Sequence, residues 1–135
     1  MKRALIICFA VFLLMQFIRP QKVEYSEDET YEIVLPSDIK EIFVRACYDC
    51  HSNKINYPWY SNVQPFGWYL KDHIENGKKH LNFSEFGTYT AKKQAHKLEE
   101  SAQVIENKEM PLDSYTLVHT EANLSDENRK ILVEY

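Results

Sequence analysis

Two cysteines and a histidine stand close together in the pentapeptide Cys47-Tyr48-Asp49-Cys50-His51. On a helix, residues three and four apart lie on the same side. Two thiols placed in this way can form thioethers with the vinyl groups along one edge of a haem, and the histidine can then bind its iron. C-x-x-C-H is the attachment signature of c-type haem. The sequence therefore predicts one covalent haem c, attached through Cys47 and Cys50, with His51 as the proximal iron ligand.

Three other interpretations of these residues stay open. A bare C-x-x-C can be a redox dithiol, although such a site normally occurs between a strand and a helix. The two cysteines and His51 can also be three ligands of a zinc ion. The fourth zinc ligand would then come from His73, His80, His96 or His119. Finally, the three residues can be neighbours by chance.

A haem iron bound by one histidine has a second axial position, and Met110 is the main candidate for it. Met110 follows a long predicted helix, lies in a loop and precedes Pro111. Its neutral, soft thioether would raise the reduction potential relative to a second histidine. His80 and His119 are the alternatives, as is an open or water-bound site. A methionine that only fills a gap in the core would give the same sequence pattern.

Aromatic residues make up 13% of the chain, a high share for so small a domain. An exposed porphyrin would leave a large apolar area in water, which costs free energy. Trp59, Tyr60 and Trp68 are therefore candidates for a wall around the haem. Ordinary packing in an aromatic core explains the same residues equally well.

Residues 1–20 are typical of a membrane anchor or an export signal. Lys2 and Arg3 precede the apolar run Ala4–Ile18, which only Gln16 interrupts. About 15 apolar residues suit a signal-peptide core and fall short of the ~20 of an ideal spanning helix. Because the run ends without the small residues that signal peptidase needs, we expect an uncleaved membrane helix. A cleaved signal and a buried core helix are the alternatives.

The distribution of charges predicts how the chain is oriented across the membrane and which class of partner it has. Basic residues ahead of the apolar run stay cytoplasmic, which sends the rest of the chain to the periplasm or another extracytoplasmic space. C-type haem is attached outside the cytoplasm, so export favours haem over zinc. The net charge is −4, and residues 21–135 carry 13 basic and 20 acidic side chains. We expect no nucleic-acid partner, because nucleic-acid-binding proteins carry clustered positive charge.

The 135 residues suffice for one modest folded domain. Crowded carboxylates predict an acidic tether at residues 21–36, before a helical domain at 37–135. Apolar residues at three- and four-residue steps predict four helices, with no clear strand. These helices begin at Ser37, run over Pro65–Gly77 and Thr88–Glu106, and begin again at Ser125. The fold class is all-α, a small cytochrome c-like helical domain around one haem.

Several segments of the chain resemble the small haem-binding domain family of bacteria, whose members are monohaem c-type proteins with an N-terminal membrane segment. The matching segments cover nearly all of residues 40–135. They are C-Y-D-C-H-S-N at 47–53, Y-P-W-Y-S-N-V-Q-P at 57–65, Gly77, H-L-N-F-S at 80–84, E-M-P at 109–111, Tyr115, His119, Ala122 and Leu124-Ser125. Phe86 stands where we expect a tryptophan. The resemblance implies haem binding and specifies neither a reaction nor a partner.

Together these features predict one-electron transfer at the outer face of the cytoplasmic membrane, with redox proteins that the sequence does not identify. We expect no enzymatic activity, because no acid–base apparatus is evident. The alternative function is a haem-based sensor or small-ligand binder with an open sixth site.

Overall fold

A computed structural model describes residues 1–135, which form helices and connecting loops without a β-strand. The predicted all-α class is confirmed. The seven α-helices are α1 (Lys2–Met15), α2 (Ser37–Ala46), α3 (Tyr48–His51), α4 (Phe66–His80), α5 (Ala91–Glu106), α6 (Asp113–Thr116) and α7 (Asp126–Glu134). Three 3-10 helices span Trp59–Asn62, Phe83–Thr88 and Thr120–Ala122.

Helix α2 begins at Ser37, but Ser37 does not cap it as its sequence predicts, because Pro36 is the N-cap and no side chain accepts a capping hydrogen bond. The apolar stripe of α2 forms the centre of the main core. That stripe consists of Ile39, Ile42, Phe43 and Ala46, all buried. Burying each large apolar side chain stabilises the fold by about 1.5–3 kcal/mol. The main core continues into Phe83, whose ring packs edge-on against Phe43 at 4.9 Å. The core therefore lies directly beside the predicted attachment residues.

Helix α4 is longer than its sequence predicts, and the prediction of Gly77 as its terminator was wrong. The helix continues to His80, and no glycine in the chain has a positive φ. Gly77 is required for close packing instead. A Cβ atom added to it would lie 2.6 Å from the carbonyl oxygen of Cys50.

Helix α5 begins at Ala91, where the Thr90 side chain accepts a hydrogen bond from the Lys93 backbone N–H at 3.3 Å. Helical periodicity predicts an inward face made of Ala91, Ala95, Leu98, Ala102 and Ile105, but only Ile105 is buried. The inward prediction was wrong for Ala91, Ala95 and Leu98, which are exposed. The reason is that α5 packs chiefly on α7, which leaves the apolar side chains of its first two turns exposed.

Helix α7 follows Ser125, whose hydroxyl accepts a hydrogen bond from the Asn128 N–H at 3.0 Å, as expected of an N-cap. Leu132 is buried against the main core. Helical periodicity predicts that Ile131, Leu132 and Tyr135 face inward, but Ile131 and Tyr135 are exposed.

Helix α1 contains 14 residues and ends at Met15, short of the predicted Ala4–Ile18. The structure contains no helix that is both long enough and apolar enough to cross a membrane, so the expected spanning helix is not present in it. The helix ends where the Gln16 side chain turns to the backbone of Gln64.

The acidic segment 21–36 lies along the helical domain. Glu32 and Ile33 are buried, and the backbone N–H of Ile33 donates to the carbonyl of Phe83 at 2.9 Å. The Tyr48 hydroxyl donates to Glu32 at 2.8 Å. The segment therefore contacts the predicted attachment motif directly.

Candidate functional site

The C-x-x-C-H motif forms one helical turn at the end of α2. Cys47 separates α2 from α3, and its carbonyl accepts the backbone N–H groups of Cys50 at 3.2 Å and His51 at 3.0 Å. This is the helical spacing on which the haem prediction rests. Local chain geometry alone therefore brings the two thiols and the imidazole together.

Both thiols are free and half-buried. Cys47 packs against the main core, and Cys50 packs against a smaller cluster of Ile55, Leu70 and Ile74. Burial raises the pKa of the Cys47 thiol to about 12 and that of the Cys50 thiol to about 11. Burial therefore disfavours the thiolate form that an activated redox dithiol needs.

The zinc alternative also lacks a ligand set. No group of three or more His, Cys, Asp or Glu side chains is arranged to hold a metal ion. His73 binds the carbonyl of Tyr69, and His96 pairs with Glu100. Two of the four candidate histidines, His73 and His96, therefore already have partners within their own helices.

His51 is oriented by a backbone carbonyl. Its Nδ1 lies 3.0 Å from the carbonyl oxygen of Leu81. Because a carbonyl only accepts hydrogen bonds, Nδ1 carries the proton and Nε2 keeps its lone pair for a metal. Burial lowers the pKa of His51, and hydrogen bonds to the carbonyls of Leu81 and Gly77 only partly oppose this effect. The neutral imidazole is therefore favoured, in the tautomer that leaves Nε2 able to bind a metal ion.

Asp49, inside the motif, is held from two directions. The Tyr115 hydroxyl donates to its Oδ2 at 2.7 Å, and the Asn56 backbone N–H donates to its Oδ1 at 2.9 Å. Burial and the Asp49 carboxylate both raise the pKa of Tyr115, which keeps its hydroxyl protonated as a donor. The motif chemistry assigned no role to Asp49, and the family resemblance was the only sequence signal at Tyr115.

His119, one alternative iron ligand, already has partners at both ring nitrogens. Nε2 lies 2.7 Å from the Tyr60 hydroxyl, and Nδ1 lies 3.2 Å from Glu121. Its ring also stacks on Tyr115 at 4.4 Å. These contacts make His119 a structural partner of the residue that holds Asp49. His80, the other histidine alternative, is exposed at the end of α4.

Met110 is half-buried in the loop between α5 and α6. Its backbone N–H donates to the carbonyl of Val104 at 3.2 Å. The Arg129 guanidinium donates to the carbonyls of Ile105 and Met110, each at 2.8 Å. The loop is thus fixed to the end of α5 by a side chain from α7, while the role of the Met110 sulfur as a ligand stays a prediction.

The three predicted wall residues lie in different places. Tyr60 reaches the motif side through its hydrogen bond to His119. Trp59 is 80% exposed, with its ring edge-on to Tyr60 at 6.0 Å. The Trp68 indole N–H donates to the carbonyl of Ile18 at 2.8 Å, so this side chain lies at the N-terminal segment.

These residues fit a covalently attached haem. Two neutral, unpaired thiols and one neutral imidazole with a free Nε2 lie on a single helical turn. When bound, the haem supplies an iron that accepts and releases single electrons.

Comparison with known proteins agrees with the resemblance seen in the sequence. No curated protein and no solved structure matches the chain significantly. The family model described as the haem-binding domain matches residues 10–135. Because this match includes the C-x-x-C-H turn and nearly all of the chain, the protein belongs to the haem-binding domain family.

Proposed function

We propose that this haem-binding protein is a c-type cytochrome that transfers single electrons. Thioethers from Cys47 and Cys50 hold the haem, and His51 binds its iron. The observation that carries this proposal is the 3.0 Å contact between His51 Nδ1 and the Leu81 carbonyl oxygen. In a metal-binding histidine, one ring nitrogen usually binds the metal and the other donates a hydrogen bond to a neighbouring acceptor. The contact between His51 and Leu81 has this arrangement.

The rest of the chain prepares the axial ligands. The hydrogen bond to the Leu81 carbonyl would increase the electron-donating strength of His51, and Met110 would be the second ligand of the iron. A thioether there stabilises the reduced iron and raises the potential. The hydrogen bonds of Arg129 hold the backbone of the Met110 loop in place. The protein is thus a carrier rather than an enzyme.

We place the haem domain outside the cytoplasm, attached to the cytoplasmic membrane by the N-terminal segment. The basic residues Lys2 and Arg3 ahead of an apolar helix support this orientation. The partners would be redox proteins of the same compartment.

One preparation of the full chain, produced together with haem-attachment machinery and exported, tests the proposal. We expect haem that stays with the chain on a denaturing gel. We also expect optical and resonance Raman spectra of a six-coordinate, low-spin iron in both oxidation states. Loss of haem on the gel would contradict covalent attachment. A five-coordinate ferrous form that binds carbon monoxide readily would instead indicate a ligand-binding sensor.

A further inference from the structure

Helix α1 is apolar on all sides and has no buried residue. The two residues beyond its C-cap, Phe17 and Ile18, are 86% and 66% exposed. A protein partner normally covers one face of a helix, whereas lipid surrounds all faces. The charged side chains of this segment are all positive, because residues 1–20 contain three basic side chains and no acidic one. Such a segment complements an anionic bilayer.

The end of α1 is fixed to the haem-binding domain. The Gln16 side-chain amide pairs with both backbone groups of Gln64: its Oε1 accepts from the N–H at 2.9 Å, and its Nε2 donates to the carbonyl at 3.1 Å. The Trp68 indole adds the hydrogen bond to Ile18. We call these three hydrogen bonds the junction clamp. They hold the start of α4 beside Ile18.

Apolar side chains of the domain lie beside the junction clamp. Phe66 follows Gln64 by two residues and is 58% exposed. Trp68 is half-buried, and its N–H is already bonded, so its ring can meet an apolar phase without a desolvation penalty at nitrogen. Lys22 follows Ile18 by four residues and is bonded to Asn62, two residues before Gln64, at 3.0 Å. Aromatic rings flanked by basic side chains are typical of the membrane–water interface.

We propose that Phe17, Ile18, Phe66 and Trp68 form a lipid-contacting surface that holds the haem domain on the bilayer in one orientation. Arg19 and Lys22 would then meet anionic headgroups. The domain would rest on the membrane instead of moving freely on a tether. This inference rests on the membrane attachment proposed above, and goes further by naming the surface of the domain that touches lipid.

Spin labels on the full haem-loaded chain test the inference in vesicles of equimolar phosphatidylcholine and phosphatidylglycerol. One sample is labelled at the native Cys8 in α1, and two others carry Cys8→Ser with Phe66→Cys or Val34→Cys. Val34 is the control, because it is 91% exposed and lies in the segment before α2. We expect the labels at positions 8 and 66 to collide with oxygen dissolved in the lipid. The label at position 34 should collide with a water-soluble nickel complex.

A position-66 label as water-accessible as the position-34 label, with Cys8 still in lipid, would overturn the inference and leave the membrane attachment standing. Water access at all three positions would overturn both. Gln16→Leu keeps the segment apolar but removes two of the clamp's hydrogen bonds. It should release the position-66 label into water, and a label that stays in lipid would show that the clamp does not orient the domain. More than one label per chain would separately reveal unblocked Cys47 and Cys50, which contradicts the thioethers.

Discussion

Gly77 of α4 lies against the backbone of Cys50. A Cβ atom on Gly77 would stand 2.6 Å from the Cys50 carbonyl oxygen and 3.3 Å from the Cys50 Cβ. The carbonyl is part of the backbone, so it cannot move aside as the end of a flexible side chain would. The absence of a side chain at Gly77 therefore allows α4 to pack against the turn that carries the attachment residues.

Gly77→Ala should destabilise the protein by about 1–3 kcal/mol through overpacking. Alanine is intrinsically favoured over glycine inside a helix by about 1 kcal/mol. A net loss of stability would therefore have to come from the steric contact with Cys50. Urea unfolding of the haem-loaded protein measures the effect. Asn76→Ala, at the exposed neighbouring position, is the control and should change stability by no more than about 0.5 kcal/mol. A Gly77→Ala variant more stable than the parent protein would disprove the steric constraint.

Cys47→Ala or Cys50→Ala should leave at most one thioether and sharply lower the yield of haem-loaded protein. Haem staining of denaturing gels measures this directly. Cys8→Ser is the matched control, because Cys8 lies in α1 away from the motif, and its stain should be unchanged. If the double variant of Cys47 and Cys50 still carries covalent haem, the attachment site lies elsewhere.

Met110→Ala should open the sixth position of the iron to water or carbon monoxide and lower the reduction potential, because the thioether favours the reduced iron. Carbon monoxide binding and potentiometric titration measure these effects. His119→Ala should keep the iron six-coordinate and cost stability, since it removes partners of Tyr60 and Glu121. The opposite pattern, with a high-spin iron after His119→Ala or His80→Ala and no change at Met110, would indicate a bis-histidine haem.

Glu32→Gln should reduce the loss of stability that the protein shows as the pH falls into the acid range. Burial of the Glu32 carboxylate acts to raise its pKa, but hydrogen bonds from Lys54, Tyr48 and Lys40 outweigh burial and lower the pKa below 4.5. A carboxylate with a lowered folded-state pKa stabilises the fold above its unfolded-state pKa, and this stabilisation is lost as pH falls through the folded-state value.

The parent protein should therefore lose stability below about pH 4.5 more steeply than Glu32→Gln does. At neutral pH the substitution should cost about 1–3 kcal/mol, the scale of hydrogen bonds to a charged group. Urea midpoints across the acid range measure both effects. Glu27→Gln alters an exposed carboxylate of the same segment and should leave the curve unchanged. Parallel curves for the parent protein and Glu32→Gln would show that Glu32 is not a source of acid sensitivity.

The sequence by itself determined the helical turn of the C-x-x-C-H motif, the helical class and the starts of α2 and α7. Each depends on residues close together in the chain, such as the C-x-x-C-H spacing or the Ser125 cap. The family resemblance was also readable from short motifs, and the match over residues 10–135 confirms it. Local spacing was enough for these features because neighbouring residues set them.

Only the tertiary structure showed which residues hold the side chains of the C-x-x-C-H turn in place. His51 is fixed by Leu81, 30 positions away, and Asp49 by Tyr115, 66 positions away. Helical periodicity also predicts that the first turns of α5 are buried. They are exposed in the structure because α5 packs on α7. Spacing within one helix shows which residues share a face, but only packing between distant segments determines what that face meets.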